Sequence, residues 1–114
     1  MKQKIILLLI SGFLFSCQIQ KPLYNWGKYE DKSYGYLKNT NDKTTKQLLE
    51  EYTKLIANQK LTRKVPPPGI FADYGFLLIQ NGKSAEGRKF LEKEIAIYPE
   101  SKIFIDRILL ITKK

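Results

Sequence analysis

The 114-residue chain contains no histidine and a single cysteine. Without histidine, no Ser-His or Cys-His nucleophile can be assembled and the usual zinc ligand is missing; with one cysteine, neither an internal disulfide nor a multi-thiolate metal centre can form. No cofactor or metal is therefore expected. A phosphate-cradling loop is also absent, because Gly82-Lys83-Ser84 lacks the upstream glycine of the P-loop spacing. Acidic residues are scarce, 11 against 20 Lys and Arg, for a formal net charge of +9. The longest apolar stretch, Ile5 to Phe15, covers 11 residues and is broken only by Ser11 and Gly12. It is short of the roughly 20 that cross a bilayer as a helix. What is left is one small domain, and mostly binding or scaffolding chemistry.

That apolar run follows a basic start, Met1-Lys2-Gln3-Lys4, and precedes the small residue Ser16. The arrangement reads as a secretory signal over residues 1–16. Leu14-Phe15-Ser16-Cys17 resembles the bacterial lipobox, with Phe15 departing from the usual small residue. The resemblance implies that Cys17 is acylated and becomes the mature N-terminus, and acyl chains give durable membrane attachment. Processing there leaves 98 residues, with 18 basic and 11 acidic groups and a side-chain charge of +7. Gln18 stands where the bacterial sorting pattern places Asp for inner-membrane retention, so the expected location is the outer membrane, on its periplasmic face.

Residues 17–29 read as an acylated tether running into an aromatic segment. Tyr24, Trp26, Tyr29, Tyr34 and Tyr36 put five aromatics into 13 residues, and Gly27 and Gly35 forbid one long helix. Two readings stay open: the rings cover an end of the core, or they form a binding surface for glycan or protein. From residue 30 to 114 the pattern is all-α, with about four helices expected. A short helix is read around 30–38. Leu48, Leu49, Tyr52, Leu55 and Ile56 then form one apolar stripe on a helix from about Thr44 to Lys60, opened by a Thr44/Gln47 capping box. Pro66-Pro67-Pro68 cannot lie in a helix interior, so the next helix starts at or after Pro68.

Set from Pro68, the residues Phe71, Tyr74, Gly75, Leu78, Gly82, Gly87, Leu91 and Pro99 fall on the positions of a 34-residue tetratricopeptide-like unit. Gly75 and Gly87 are expected where the two helices touch. Glu94 departs from that pattern, which favours a small residue. A last helix from about Ser101 to Lys113 is apolar nearly all round and is expected to be buried on more than one side. It is read as packing between the hairpin and the 44–60 helix, or as leaving a face for another protein.

The close carboxylate pairs, Glu50-Glu51 and Glu92 with Glu94, point in different directions on a helix and read as solvated surface, so no enzyme is expected. An exported lipoprotein meets little nucleic acid, which leaves lipid head groups or acidic partner surfaces for the basic cluster Lys60, Arg63 and Lys64.

Several stretches together resemble a family of small bacterial outer-membrane lipoproteins, domain of unknown function 4810. They are Lys21 to Glu30 with its Tyr-x-Trp-Gly-x-Tyr element, the Pro67-Pro68-Gly69 junction, Phe90-Leu91-Glu92-Lys93-Glu94, and Tyr98-Pro99-Glu100-Ser101. The resemblance implies companions of a CsgG-like pore-forming lipoprotein and of a third small lipoprotein. The function expected is binding of those lipoproteins to assemble or stabilise an envelope secretion complex. Tyr98, Phe104, Ile108 and Ile111 are the expected docking residues, and Tyr24, Trp26 and Tyr29 the second candidate surface. The alternative is a cell-envelope glycan-binding module built on the Tyr/Trp-rich segment.

Overall fold

The structure, a computed structural model, describes residues 1–5 and 19–113. From Tyr29 onward it is all-α: α1 (Tyr29–Lys38), α2 (Asp42–Ala57), α3 (Ile70–Gln80), α4 (Ser84–Ile97), a 3-10 turn (Pro99–Ser101) and α5 (Lys102–Ile111). Helices α1 and α2 form one antiparallel hairpin and α3 and α4 a second, each closed by a three-residue turn, Asn39–Asn41 and Asn81–Lys83. Sequence reading anticipated only the second as a repeat-like hairpin.

Helix α2 begins two residues before the expected Thr44. Asn41 is its N-cap: the side chain accepts from the Thr44 amide at 3.0 Å, while the Thr44 hydroxyl accepts from the Asn41 amide at 3.0 Å. This reciprocal pair satisfies two otherwise orphan donors, and the Thr44/Gln47 pairing is not used. The helix also ends early, at Ala57, because Gln59 turns back. Its buried amide donates to the Leu55 carbonyl at 3.0 Å and the Asn25 carbonyl at 2.7 Å, and accepts from the Asn25 amide at 3.1 Å. With the Arg63 amide donating to the Leu23 carbonyl, this fastens the aromatic segment to the helical body.

The main core joins Leu48, Tyr52 and Leu55 of α2 to Ile70, Tyr74, Leu77 and Leu78 of α3. A ladder of six rings runs through it: Trp26, Tyr29, Tyr52, Tyr74, Phe90 and Phe71 follow one another at centroid separations of 4.6 to 6.0 Å. Offset and tilted aromatic pairs at such distances add to the burial of area alone. Of the five N-terminal aromatics, Trp26 and Tyr29 join this ladder, and Tyr29 and Tyr36 pack against the core.

The second hairpin closes on backbone. A Cβ on Gly75 would lie 2.6 Å from the Gly87 carbonyl oxygen, and one on Gly87 would collide with the Gly75 carbonyl. Only glycine at both positions lets α3 and α4 approach this closely. Gly82, at φ 81°, turns the chain between them. Helix α5 then lies on this hairpin, with Ile105 fully buried among Ala72 of α3 and Leu91 of α4, flanked by Ile79 and Ile95. Its core contacts are with α3 and α4. It does not wedge between the hairpin and α2, because the α2–α3 seam is already filled by the ring ladder.

Candidate partner-binding surface

Helix α5 has two apolar stripes. Ile105, Ile108 and Leu109 recur at i, i+3 and i+4 and turn toward the hairpin. Thr112 continues this face, and its carbonyl accepts from the Arg88 guanidinium at 3.3 Å, tying down the end of the helix. The opposite face carries Ile103, Phe104, Arg107, Leu110 and Ile111, spaced i, i+1, i+4, i+7 and i+8 as one side of a helix requires. The four apolar members are 59 to 74% exposed. On the same helix Lys102 and Asp106 form an exposed i, i+4 pair at 2.6 Å, worth little by itself.

This geometry divides the docking residues expected from sequence. Phe104 and Ile111 stand on the outward stripe. Ile108 packs against the hairpin core and cannot serve as a surface anchor. Tyr98 is buried as well: its hydroxyl donates to the Pro66 carbonyl at 2.6 Å, bracing the proline run against the end of α4. Burial pushes that hydroxyl well above its ordinary range, and the neighbouring Tyr24 hydroxyl adds to the effect. Ile103 and Leu110 take their places on the outward stripe. A helix apolar all round gives no direction by periodicity; only the buried Ile105 fixes which side faces in.

Of the second candidate surface, Tyr24 and Tyr29 are half-buried and Trp26 is 46% exposed. The Tyr29 ring sits between Trp26 and Tyr52. Tyr34, the most exposed ring of the segment, lies about 140° round α1 from Tyr29 at 100° per residue. Tyr24, Trp26 and Tyr34 do not join one trough, whereas Tyr29 and Tyr36 line a groove together with Tyr52 of α2. Cys17 lies outside the described residues.

Two glutamates expected on the solvated surface are buried. Glu51 Oε1 accepts from the Lys28 amide at 2.6 Å, and Glu94 Oε1 accepts from the Gly69 amide at 2.7 Å and from the Ser101 hydroxyl at 3.3 Å. Lys28 and Gly69 are the N-caps of α1 and α3, and neither receives a cap bond from its own side chain. Each carboxylate therefore caps, from the returning helix of its hairpin, the positive end of the outgoing one. Glu50 and Glu92 stay exposed. This explains the departure of Glu94 from the general repeat pattern: the position does polar work at a helix end and also anchors the turn into α5. Its Oε2 has no hydrogen-bond partner among the described residues. The signal available in sequence was the glycine before each helix, Gly27 and Gly69, both with positive φ.

Among the described residues, no group of three or more Cys, Asp or Glu side chains gathers as a metal site, and no helix is long and apolar enough to cross a membrane. A family model matches residues 23–108, from the start of the bonded aromatic segment to the inward face of α5. The chain belongs to the family described as a domain of unknown function, DUF4810. No curated protein and no solved structure matches it. In this DUF4810 chain the matched region takes in both carboxylate-capped hairpins, while Leu110 and Ile111 of the outward stripe lie beyond it.

Proposed function

We propose that this protein is a non-enzymatic, lipid-anchored outer-membrane component that docks a partner envelope lipoprotein through the outward stripe of α5. The docking helps assemble or stabilise a CsgG-like secretion complex. The observation that carries the reading is the stripe itself: Ile103, Phe104, Leu110 and Ile111 lie exposed along ten residues of one well-packed helix. In a repeat-like array each helix is normally covered on both sides by its neighbours, and among the described residues α5 has only its Ile105 face covered. Arg107 at its centre suits a partner that presents an apolar helix with an acidic margin. The lipobox-like segment ending at Cys17 supplies the anchor.

The test is co-purification from membranes. Ile103→Glu and Leu110→Glu place charge on side chains already in solvent, so the fold should survive while partner recovery falls by at least about 30-fold, the scale of a lost interface anchor of about 2 kcal/mol. Ile108→Glu, facing inward, should instead unfold the protein. Cys17→Ser should shift it out of the outer-membrane fraction. Retention of the same partners by folded Ile103→Glu and Leu110→Glu variants would refute the docking surface, and outer-membrane recovery of Cys17→Ser with unchanged mass would refute the anchor.

A further inference from the structure

A concave surface lies between α1 and α3 over the floor of α2, and no residue of α5 lines it. It is an open groove of about 240 Å³. The rings of Tyr29, Tyr36 and Tyr52 form its inner part, and Leu37 and Phe76, 77% and 36% exposed, form its rim. Among the described residues Asp73 is the only charged one that lines it, with one carboxylate oxygen 3.4 Å from the Tyr29 hydroxyl.

The carboxylate is the unusual feature. The chain carries 20 Lys and Arg, yet among the described residues the one ion pair is Lys102–Asp106, far along the fold on α5. Asp73 sits in the first turn of α3, where the helix N-terminus tolerates an anion. That placement accounts for a carboxylate on α3 but not for the three tyrosines that line the groove with it. Desolvation pushes the Asp73 carboxyl above the usual carboxylate range, with the Tyr29 hydroxyl bond partly offsetting it and the Glu94 charge adding to it.

One anion in a groove otherwise lined by aromatic and apolar side chains makes a seat for a long cationic side chain, with the carboxylate supplying the counter-charge and the rings covering the aliphatic stem. We propose that the groove binds a lysine or arginine side chain of a partner polypeptide, with an apolar neighbour of that residue resting on Leu37 and Phe76. A lipid amine is the less suited occupant, because it brings a phosphate and no basic side chain lines the groove to receive one. This site stands apart from the α5 stripe and does not depend on it.

The full-length purified protein is titrated, by fluorescence anisotropy, with three labelled peptides: Ala-Leu-Lys-Leu-Ala, and the same peptide with Glu or norleucine in place of Lys. The lysine peptide should bind about tenfold or more tighter than either of the others. Asp73→Asn, isosteric and still able to face Tyr29, should abolish that preference. Phe76→Ala, which keeps the carboxylate, should weaken the lysine peptide at least threefold, and Ile103→Glu on α5 should leave binding unchanged. Equal binding of the three peptides, a preference that survives Asp73→Asn, unaltered affinity in Phe76→Ala, loss of binding in Ile103→Glu, or displacement of the lysine peptide by phosphatidylethanolamine vesicles would each overturn the assignment.

Discussion

In the first hairpin α1 meets α2 through tyrosine rings, and a Cβ added at Gly35 would find no atom within 4 Å. In the second hairpin α3 and α4 meet backbone to backbone at Gly75 and Gly87, where any side chain strikes a carbonyl. Both hairpins have a carboxylate that reaches back to cap the outgoing helix. The same cap thus closes two different kinds of contact. Rings hold helices apart and leave a groove beside them, whereas paired glycines remove all freedom of approach. A platform for α5 needs the second kind, since Ile105 must enter a fixed gap between Ala72 and Leu91.

The contrast is broken most strongly at the glycines. Gly75→Leu or Gly87→Leu should cost about 3 kcal/mol or more, at the upper end of overpacking, because backbone is struck and cannot rotate away. Thermal and denaturant melts of both variants check this, and a wild-type midpoint would show the helices able to part freely.

Next come the caps. Glu94→Ala empties a fully buried position and leaves the half-buried Gly69 amide and Ser101 hydroxyl without their acceptor, so a loss of about 2–4 kcal/mol is expected. Glu51→Ala removes the acceptor of a single amide and should cost less, about 1–3 kcal/mol. Glutamine at either position keeps an acceptor oxygen and should recover a substantial part. If alanine at 51 proves costlier than at 94, the looser hairpin depends on its cap more than its packing suggests.

Alkali probes the rings. Burial raises the Tyr52 hydroxyl far above its ordinary value, the Asp73 charge adding to it; Tyr29 and Tyr98 are raised as well, each chiefly by burial. These groups keep their protons in the folded protein while the unfolded chain ionises near pH 10. Their contribution to stability is therefore complete below about pH 10 and is lost as pH rises beyond it. Midpoints measured from about pH 8 to 11 should fall only over the last unit, and Tyr52→Phe should flatten that fall.

The smallest effect has the opposite sign. Gly35→Ala fills open space in a helix interior and should stabilise by about 0.5–1 kcal/mol, where the same exchange at Gly75 destabilises. A destabilised Gly35→Ala protein would mean that α1 lies closer to its neighbours than the ring spacing indicates.

Much of this was legible before any coordinates. Gly75 and Gly87 could be placed at a helix contact because a repeat spacing sets both at once, and a stripe such as Leu48, Tyr52 and Leu55 dictates its own inward face. Glu51 and Glu94 could not be read: a carboxylate that caps a helix some 23 or 25 residues away looks in sequence like any surface charge, and only the folded return of the chain brings donor to acceptor. The orientation of α5 was hidden for a related reason. With Ile103, Phe104, Ile105, Ile108, Leu109, Leu110 and Ile111 on ten residues, hydrophobicity has no preferred direction, and the choice between Ile108 and Leu110 as the outer residue is made by the hairpin it lands on. The groove, likewise, needs α1 and α3 side by side before Asp73 and the tyrosines share a wall.

The ring ladder ends at Trp26, the single tryptophan of the chain, half in solvent and tilted against Tyr29 at 5.8 Å. The protein therefore carries its own optical reporter at the seam where the segment clamped by Gln59 joins the helices. Indole emission will follow the release of that segment, while far-ultraviolet circular dichroism will follow the helices themselves. Coincident transitions would mark the segment and the two hairpins as one cooperative unit, and an earlier change in the indole signal would mark a separate opening of the N-terminal strap, observable without any label.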